Sequence, residues 1–264
     1  VIKEIRKKMR EAGNVRPIGA WVFDEKDAYR QIPVAPDQRK YAIIAVRHPS
    51  HRRVQFFAMV GHSFGHTAAV YNYNRRSALI NEILLKFFGV VADFFYDDKF
   101  GFEPEDTLAT AAATVIALHH YLGADFDPKK IQINKEVKIL GIKYNLPDYI
   151  LQVDEDRKED LKEELTQILR KRSLTAAAAG KIKGKLLFAA SQVWGKVGSA
   201  FLLARSVRQY AKDGKTEINE AIEEAVKQWL KILDKGKPRE IDDVENVMND
   251  VVIFTDGSHP ERNE

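Results

Sequence analysis

The 264-residue chain contains no cysteine. That absence excludes disulfides, thiolate nucleophiles and zinc sites built on cysteine, and it fits a reducing compartment. No run of about 18 apolar residues occurs, so no membrane-spanning helix is expected. The N-terminal VIKEIRKKMREAG is basic and amphipathic without an apolar centre, which argues against a signal peptide. Val, not Met, stands first, which reads as a piece of something longer. One absence is local: residues 170–212 hold ten basic side chains and no acidic one, in a chain with 38 acids.

What is present bounds the rest. An apolar content of 45% is ample for a core and excludes wholesale disorder. The length is a prior for about two domains of ordinary size. A formal charge of +4 conceals the basic stretch, which is apolar enough to pack yet acid-free. It reads either as a solvated lysine-rich helix face or as a folded surface facing polyanion, where each neutralised phosphate releases counterion.

Apolar periodicity orders the chain. Residues 2–12 predict a short helix, closed by Gly13-Asn14. AWVF at 20–23 predicts a buried strand ending at Asp24; residues 41–46 and 54–60 predict a strand pair. Apolar residues at 3–4 spacing predict a helix over 67–88, with Gly89 as its cap. Strands follow at 90–96 and 99–102, with Asp97-Asp98 at the turn, then a helix over 106–122 and strands at 131–133 and 137–144. From 154 the pattern is helical, over 154–171, 174–193, 197–212 and 217–235. A strand returns at 250–256.

Two carboxylate clusters carry the chemistry. In FFYDDKFGF, two acids sit between aromatic strand residues; in VFDEKDAY, Asp24 directly follows an apolar strand. Each alone also fits an ordinary turn or cap acid. Together, two neighbouring strands can deliver Asp24, Asp97 and Asp98 to one place. Three carboxylates there repel and desolvate one another and call for a cation. Hard oxygen donors select Mg²⁺, and a pair of such ions suits in-line phosphoryl transfer.

Those motifs resemble reverse transcriptases. DEKDAYRQIPVAPDQRK resembles motif A of the retroelement enzymes, HSFGHTAAVYNYNR motif B, and YDD the Y-x-D-D box of motif C. LGADFDPKKIQI resembles motif D, VKILGIKY the primer-grip hairpin, and LTAAAAGKIKGKLLFAA the helical region after the palm. VVIFTDGS resembles the first strand of an RNase H domain. The resemblance covers most of residues 18–258, in the family's order.

The resemblance implies an α+β fold: a reverse-transcriptase palm with partial fingers over 1–153 and a helical thumb- or connection-like region over 154–235. A linker over 236–249 and a truncated first strand of an RNase H-like domain over 250–264 follow. It implies RNA-directed DNA synthesis from dNTPs on a primer, with Asp24, Asp97 and Asp98 holding two Mg²⁺, for which Mn²⁺ can substitute. The Glu25 backbone carbonyl would complete a metal shell, and Asp27 belongs to the same dNTP-binding segment. Tyr29 matches the gate against a 2′-hydroxyl, and Phe64 and Gly65 the pair packed on nucleotide and template. Lys130 matches the acid that protonates pyrophosphate, with Lys129 as its neighbouring candidate. Tyr96, Leu140 and Gly141 match primer-binding positions, Lys181, Lys183 and Lys185 of the basic helical segment are expected to contact template–primer, and Asp256 matches the first RNase H acid. The implied partners are RNA template, DNA primer and dNTPs, without a membrane, in cytoplasm or nucleus.

The departures set the alternative. Ser63 replaces the motif B proline, and His66 follows Gly65. His62 and His66 stand at zinc-compatible i, i+4 spacing, but no third ligand is evident. Only 23 residues precede Asp24, too few for the fingers strands, and only Glu261 and Glu264 follow Asp256 as acids. The chain therefore reads as a polymerase core clipped at both ends, from which RNA cleavage is not expected. The alternative reading is an inactive nucleic-acid-binding remnant. A metal phosphohydrolase leaves Tyr29, Lys129-Lys130 and the basic helices unexplained.

Overall fold

A computed structural model describes residues 1–195, 197–199, 201–202, 208–210 and 214–241. The expected strand over 250–256, with Asp256, lies outside the described residues, as do most of the linker and much of the expected helix over 197–212.

Strand β1 (Ile18–Asp24) is the centre of the first unit, and its first six residues are buried. Its apolar run is continuous because both faces are covered, and the pleat sorts it by parity. Trp21 and Phe23 face a core containing Ile80, Leu84, Leu108, Ala112 and Val115. Ile18, Ala20 and Val22 face Met9, Phe102, Val137 and Ile139. The strand starts two residues before the expected AWVF because Gly19 belongs to it. A Cβ there would come within 2.4 Å of Leu108, so the glycine marks a close helix approach rather than a break.

The helices of the first core are α1 (Ile2–Glu11), α2 (Thr67–Phe88) and α3 (Glu105–Tyr121). Helix α2 has the expected bounds; Gly89 closes it with φ 67°. Strands β2 (Ile43–Arg47) and β3 (Val54–Ala58) pair with each other, and every residue in both is exposed. Strands β4 (Ala92–Phe95), β5 (Asp98–Pro104) and β6 (Gln132–Asn134) join β1 in one antiparallel sheet, ordered β4-β5-β1-β6. Across the central pair, Trp21 lies opposite Gly101, where a Cβ would strike its ring at 2.5 Å.

Residues 137–144, one strand by periodicity and a hairpin by the resemblance, lie in a hairpin, β7 (Glu136–Ile139) and β8 (Ile142–Asn145). Leu140 and Gly141 turn it, with φ 52° and 78°. Strand β9 (Ile150–Val153) and the two-residue β10 (Arg239–Glu240) complete a sheet ordered β10-β9-β8-β7. This sheet joins the two units: Val137 and Ile139 pack towards β1, whereas Ile142 and Val153 pack on Ala189 and Val193.

The second unit is helical: α4 (Glu155–Lys171), α5 (Ala176–Ala189), continued by a π turn over Ala190–Trp194, and α6 (Glu220–Lys235). Leu161, Leu165 and Ile168, then Ile182 and Leu186, then Ile222, Val226, Trp229 and Leu233 form one core at helical 3–4 spacing. Burial of each large apolar side chain stabilises it by roughly 1.5–3 kcal/mol. The helix starts are fixed locally. The Thr175 side chain accepts from the Ala178 amide at 3.2 Å, and Asn219 from the Ile222 amide at 3.0 Å. No helix among the described residues is long and apolar enough to cross a membrane.

Candidate active site

The site forms where β1 ends and β5 begins. Asp24 and Asp98 are cross-strand partners, and the Glu25 amide donates to the Asp97 carbonyl at 3.0 Å, extending the ladder by one step. The β4–β5 hairpin closes over Tyr96 and Asp97, not over the two acids: Phe95 pairs with Asp98, and Tyr96 takes a left-handed φ of 54°. Asp97 therefore sits on the turn and Asp98 is the first strand residue. Burial raises the Asp98 carboxyl above the ordinary range, and the charges of Asp97 and Asp24 add to the shift. That crowding is the electrostatic signature expected of neighbouring carboxylates.

Lys130 answers part of that charge. Its Nζ lies 2.9 Å from Asp24 Oδ2, and this hydrogen bond raises the lysine above its usual range. The short turn Pro128–Lys130 is aimed by Asp127, whose side chain accepts from the Lys129 amide at 3.0 Å. The Asp127 amide in turn donates to the Asp24 carbonyl at 2.9 Å. Lys129 is exposed.

The 3-10 turn Ala28–Gln31 places Tyr29 beside the acids. Asp27 and Ala28 both have positive φ, 55° and 34°, and the exposed Asp27 makes no side-chain cap of that turn. The Tyr29 ring meets Phe64 at 5.3 Å and Tyr73 at 5.0 Å, edge to face in both cases. Burial raises its phenol, with the Asp97 charge next in weight. Phe64 is 58% exposed and Gly65 has φ 90°. Asp24, Asp97, Asp98, Lys130, Tyr29 and Phe64 thus form one neighbourhood.

Of the other expected residues, Tyr96 shares the Asp97 turn and the rest lie elsewhere. Tyr96 is exposed beside Phe95. Leu140 and Gly141 form the β7–β8 turn, where the Leu140 carbonyl accepts from Arg157 at 3.1 Å. Lys181 is exposed at a 540 Å³ cleft between α4 and α5, beside Asp160, Glu163 and Glu164. Lys183 is half-buried, 6.0 Å over the Tyr210 ring, and Lys185 is ion-paired with Glu164. His62 contacts Asn72 at 3.3 Å, and His66 stands at the start of α2.

The donor set at the strand ends is all oxygen, which suits a hard cation. Among the described residues the Glu25 carbonyl accepts one long bond, 3.3 Å from the Ala28 amide, which leaves capacity for a second. Among the described residues, no three His, Asp or Glu side chains already converge as a metal-ligand group. Asp24 is engaged with Lys130 instead.

A buried layer beneath the carboxylates was not anticipated. Glu25 is 1% exposed; its carboxylate accepts from Tyr73 Oη at 2.6 Å and from Arg76 Nη1 at 2.5 Å. Lys99, also 1% exposed, donates to Ser77 Oγ at 2.5 Å and the Tyr96 carbonyl at 3.2 Å, with Glu25 3.8 Å away. Burial pushes Lys99 down to about 8. A sequence signal existed: Tyr73, Arg76 and Ser77 at i, i+3 and i+4 share one helix face, and Lys99 interrupts an aromatic strand.

No protein-family model matches the sequence, and no curated protein does. Among solved structures, the chain is similar to a foamy viral protease-reverse transcriptase in complex with double-stranded DNA. The TM-score is 0.63 at 13% identity, over 87% of this chain and 37% of that one. It is likewise similar to a foamy viral protease-reverse transcriptase in complex with an RNA/DNA hybrid. There the TM-score is 0.62 at 14% identity, over 87% of this chain and 28% of that one. The chain thus spans about a third of the length of these proteins. At such identity the likeness is one of architecture: this chain has a mixed α and β, reverse-transcriptase-like fold.

Proposed function

We propose that the chain is the core of a template-directed DNA polymerase. It would add deoxynucleotides to a primer 3′-hydroxyl on an RNA or DNA template. The observation that carries this reading is the pairing of Asp24 with Asp98 across β1 and β5, with Asp97 on the adjoining turn and Lys130 bonded to Asp24. The fold likeness supports it, and both similar structures hold nucleic acid.

The reaction forms a bond from the primer 3′-oxygen to the α-phosphorus, breaks the bond to pyrophosphate and releases the proton of the 3′-hydroxyl. Asp24, Asp97 and Asp98, with the Glu25 carbonyl, would hold Mg²⁺ or Mn²⁺. When bound, the metal activates the hydroxyl and neutralises developing phosphate charge. Tyr29, backed by Tyr73, would stand against the sugar and exclude a 2′-hydroxyl, while Phe64 packs on the nucleotide. Lys130 Nζ would give its proton to the leaving oxygen and Lys129 would offset phosphate charge. Lys181 is the most exposed of the three α5 lysines assigned to the template–primer.

Primer extension by the parent chain and Asp97→Asn tests this. Mg²⁺-dependent extension, lowered about 10³-fold in the variant, is expected from removal of one metal-holding charge. Full retention by Asp97→Asn overturns the site assignment. Salt-dependent duplex binding without extension establishes instead a nucleic-acid-binding protein without catalysis.

A further inference from the structure

In the buried layer of Glu25, Tyr73, Arg76, Ser77 and Lys99, no side chain touches a reacting atom in the chemistry above. Two cations and one anion lie within it, and burial of charge is costly. Apolar residues of equal volume are often no less stable in such places, so stability alone is a weak reason for the layer. Its connections are more specific. Glu25 directly follows Asp24, and Lys99 directly follows Asp98. Lys99 Nζ holds the carbonyl of Tyr96, the residue whose left-handed backbone sets Asp97 on the turn. Tyr73, oriented by its hydroxyl bond to Glu25, presents its ring 5.0 Å from that of Tyr29. Lys99 also lies 4.9 Å over the Tyr73 ring and 4.8 Å over Phe94, so α2, β4 and β5 are tied through one ammonium.

We infer that Glu25, Tyr73, Arg76 and Lys99 are positioning residues that lock the Tyr96–Asp97 turn and the Tyr29 ring to α2. The carboxylates and the sugar-facing ring then share one support. In its consequence for nucleotides this rests on the polymerase reading; in its consequence for the turn it does not.

The test compares the parent with Tyr73→Phe and Glu25→Gln, which keep side-chain size. The first readout is amide hydrogen exchange at Glu25, whose N–H bonds to the turn. It is expected to quicken about tenfold in both variants, the local effect of losing a hydrogen bond to a charged group. The second readout is the ratio of kcat/KM for a dNTP over the matching rNTP. It is expected to fall about tenfold in Tyr73→Phe, while the unfolding midpoint moves by no more than about 5 °C. A role in general folding would lower incorporation of both sugars equally, so an unchanged ratio overturns the inference for Tyr29. Unchanged exchange at Glu25 overturns it for the turn. A parent that extends no primer overturns the polymerase reading alone, and exchange then decides the inference. Should Tyr73→Phe not fold, Ser77→Ala, which removes an acceptor of Lys99, carries both readouts.

Discussion

The two units bury side chains of different kinds. Beneath the carboxylates, the α+β unit buries Glu25, Ser77, Lys99 and His119. In the helical unit, the buried polar residue among those described is Arg208, whose guanidinium donates to the carbonyls of Lys215 and Glu217. Among the described residues, the rest of its buried core is aliphatic side chains and Trp229, with Trp194 and Phe201 packed against it. The helical unit is built as packing optimises it; the α+β unit accepts desolvated charge beside its acids. The difference points to the same end of the sheet as the motifs do, because buried ionisable groups are costly and cluster where geometry must be held.

Breaking the apolar core is expected to have the largest effect on stability. Trp229→Ala should destabilise by about 3–5 kcal/mol in urea unfolding, the usual cost of emptying a large aromatic site. Exchange at the Glu25 amide should stay unchanged; if it quickens, the two cores are one cooperative unit and the contrast between them fails. Acid probes the other core. His119 is 1% exposed, its Nδ1 lies 2.8 Å from the Val115 carbonyl, and burial pushes its imidazole down to about 4. Unfolded, it titrates near 6.5, so between these values the unfolded chain binds the extra proton. Stability is thus untouched above about pH 6.5 and falls by about 3 kcal/mol as pH drops to about 4. Denaturant curves at several pH values should show His119→Leu lacking that part of the slope.

The smallest effect concerns the helical surface. Lys181→Ala should make the salt slope of template–primer binding shallower by roughly 0.7–0.9, one phosphate contact. Lys185→Ala, already ion-paired with Glu164, should leave the slope unchanged. Equal slopes for both variants would show the bundle to be a scaffold away from nucleic acid.

Legibility in the sequence followed the range of the interactions. Helix α2 was readable to its last residue because apolar spacing and a glycine cap are local. Asp24, Asp97 and Asp98 were legible from two strand ends carrying acids, Lys130 and Tyr29 only through the resemblance to reverse-transcriptase motifs, and the structure sets these side chains in one neighbourhood. Strand β9 was not anticipated: ILQV is short, follows Pro147-Asp148-Tyr149, and exists by pairing with β8. The Lys99–Glu25 layer was missed because it joins residues 74 positions apart through a helix between them. Lys185 looked available for phosphate because Glu164 lies on another helix.

The β2–β3 hairpin carries a consequence of a colloidal kind. Phe56 is 73% exposed, and both strands of this two-stranded sheet keep an unpaired edge among the described residues. Edges of that composition template self-association. Arg47, Arg52 and Arg53, at the end of β2 and in the loop beyond it, oppose that by like charge. Salt screens such repulsion within a Debye length, about 8 Å at physiological ionic strength. Under the polymerase reading, the same salt that would loosen the chain from template–primer would also draw its copies together, tying solubility and ligand release to one variable.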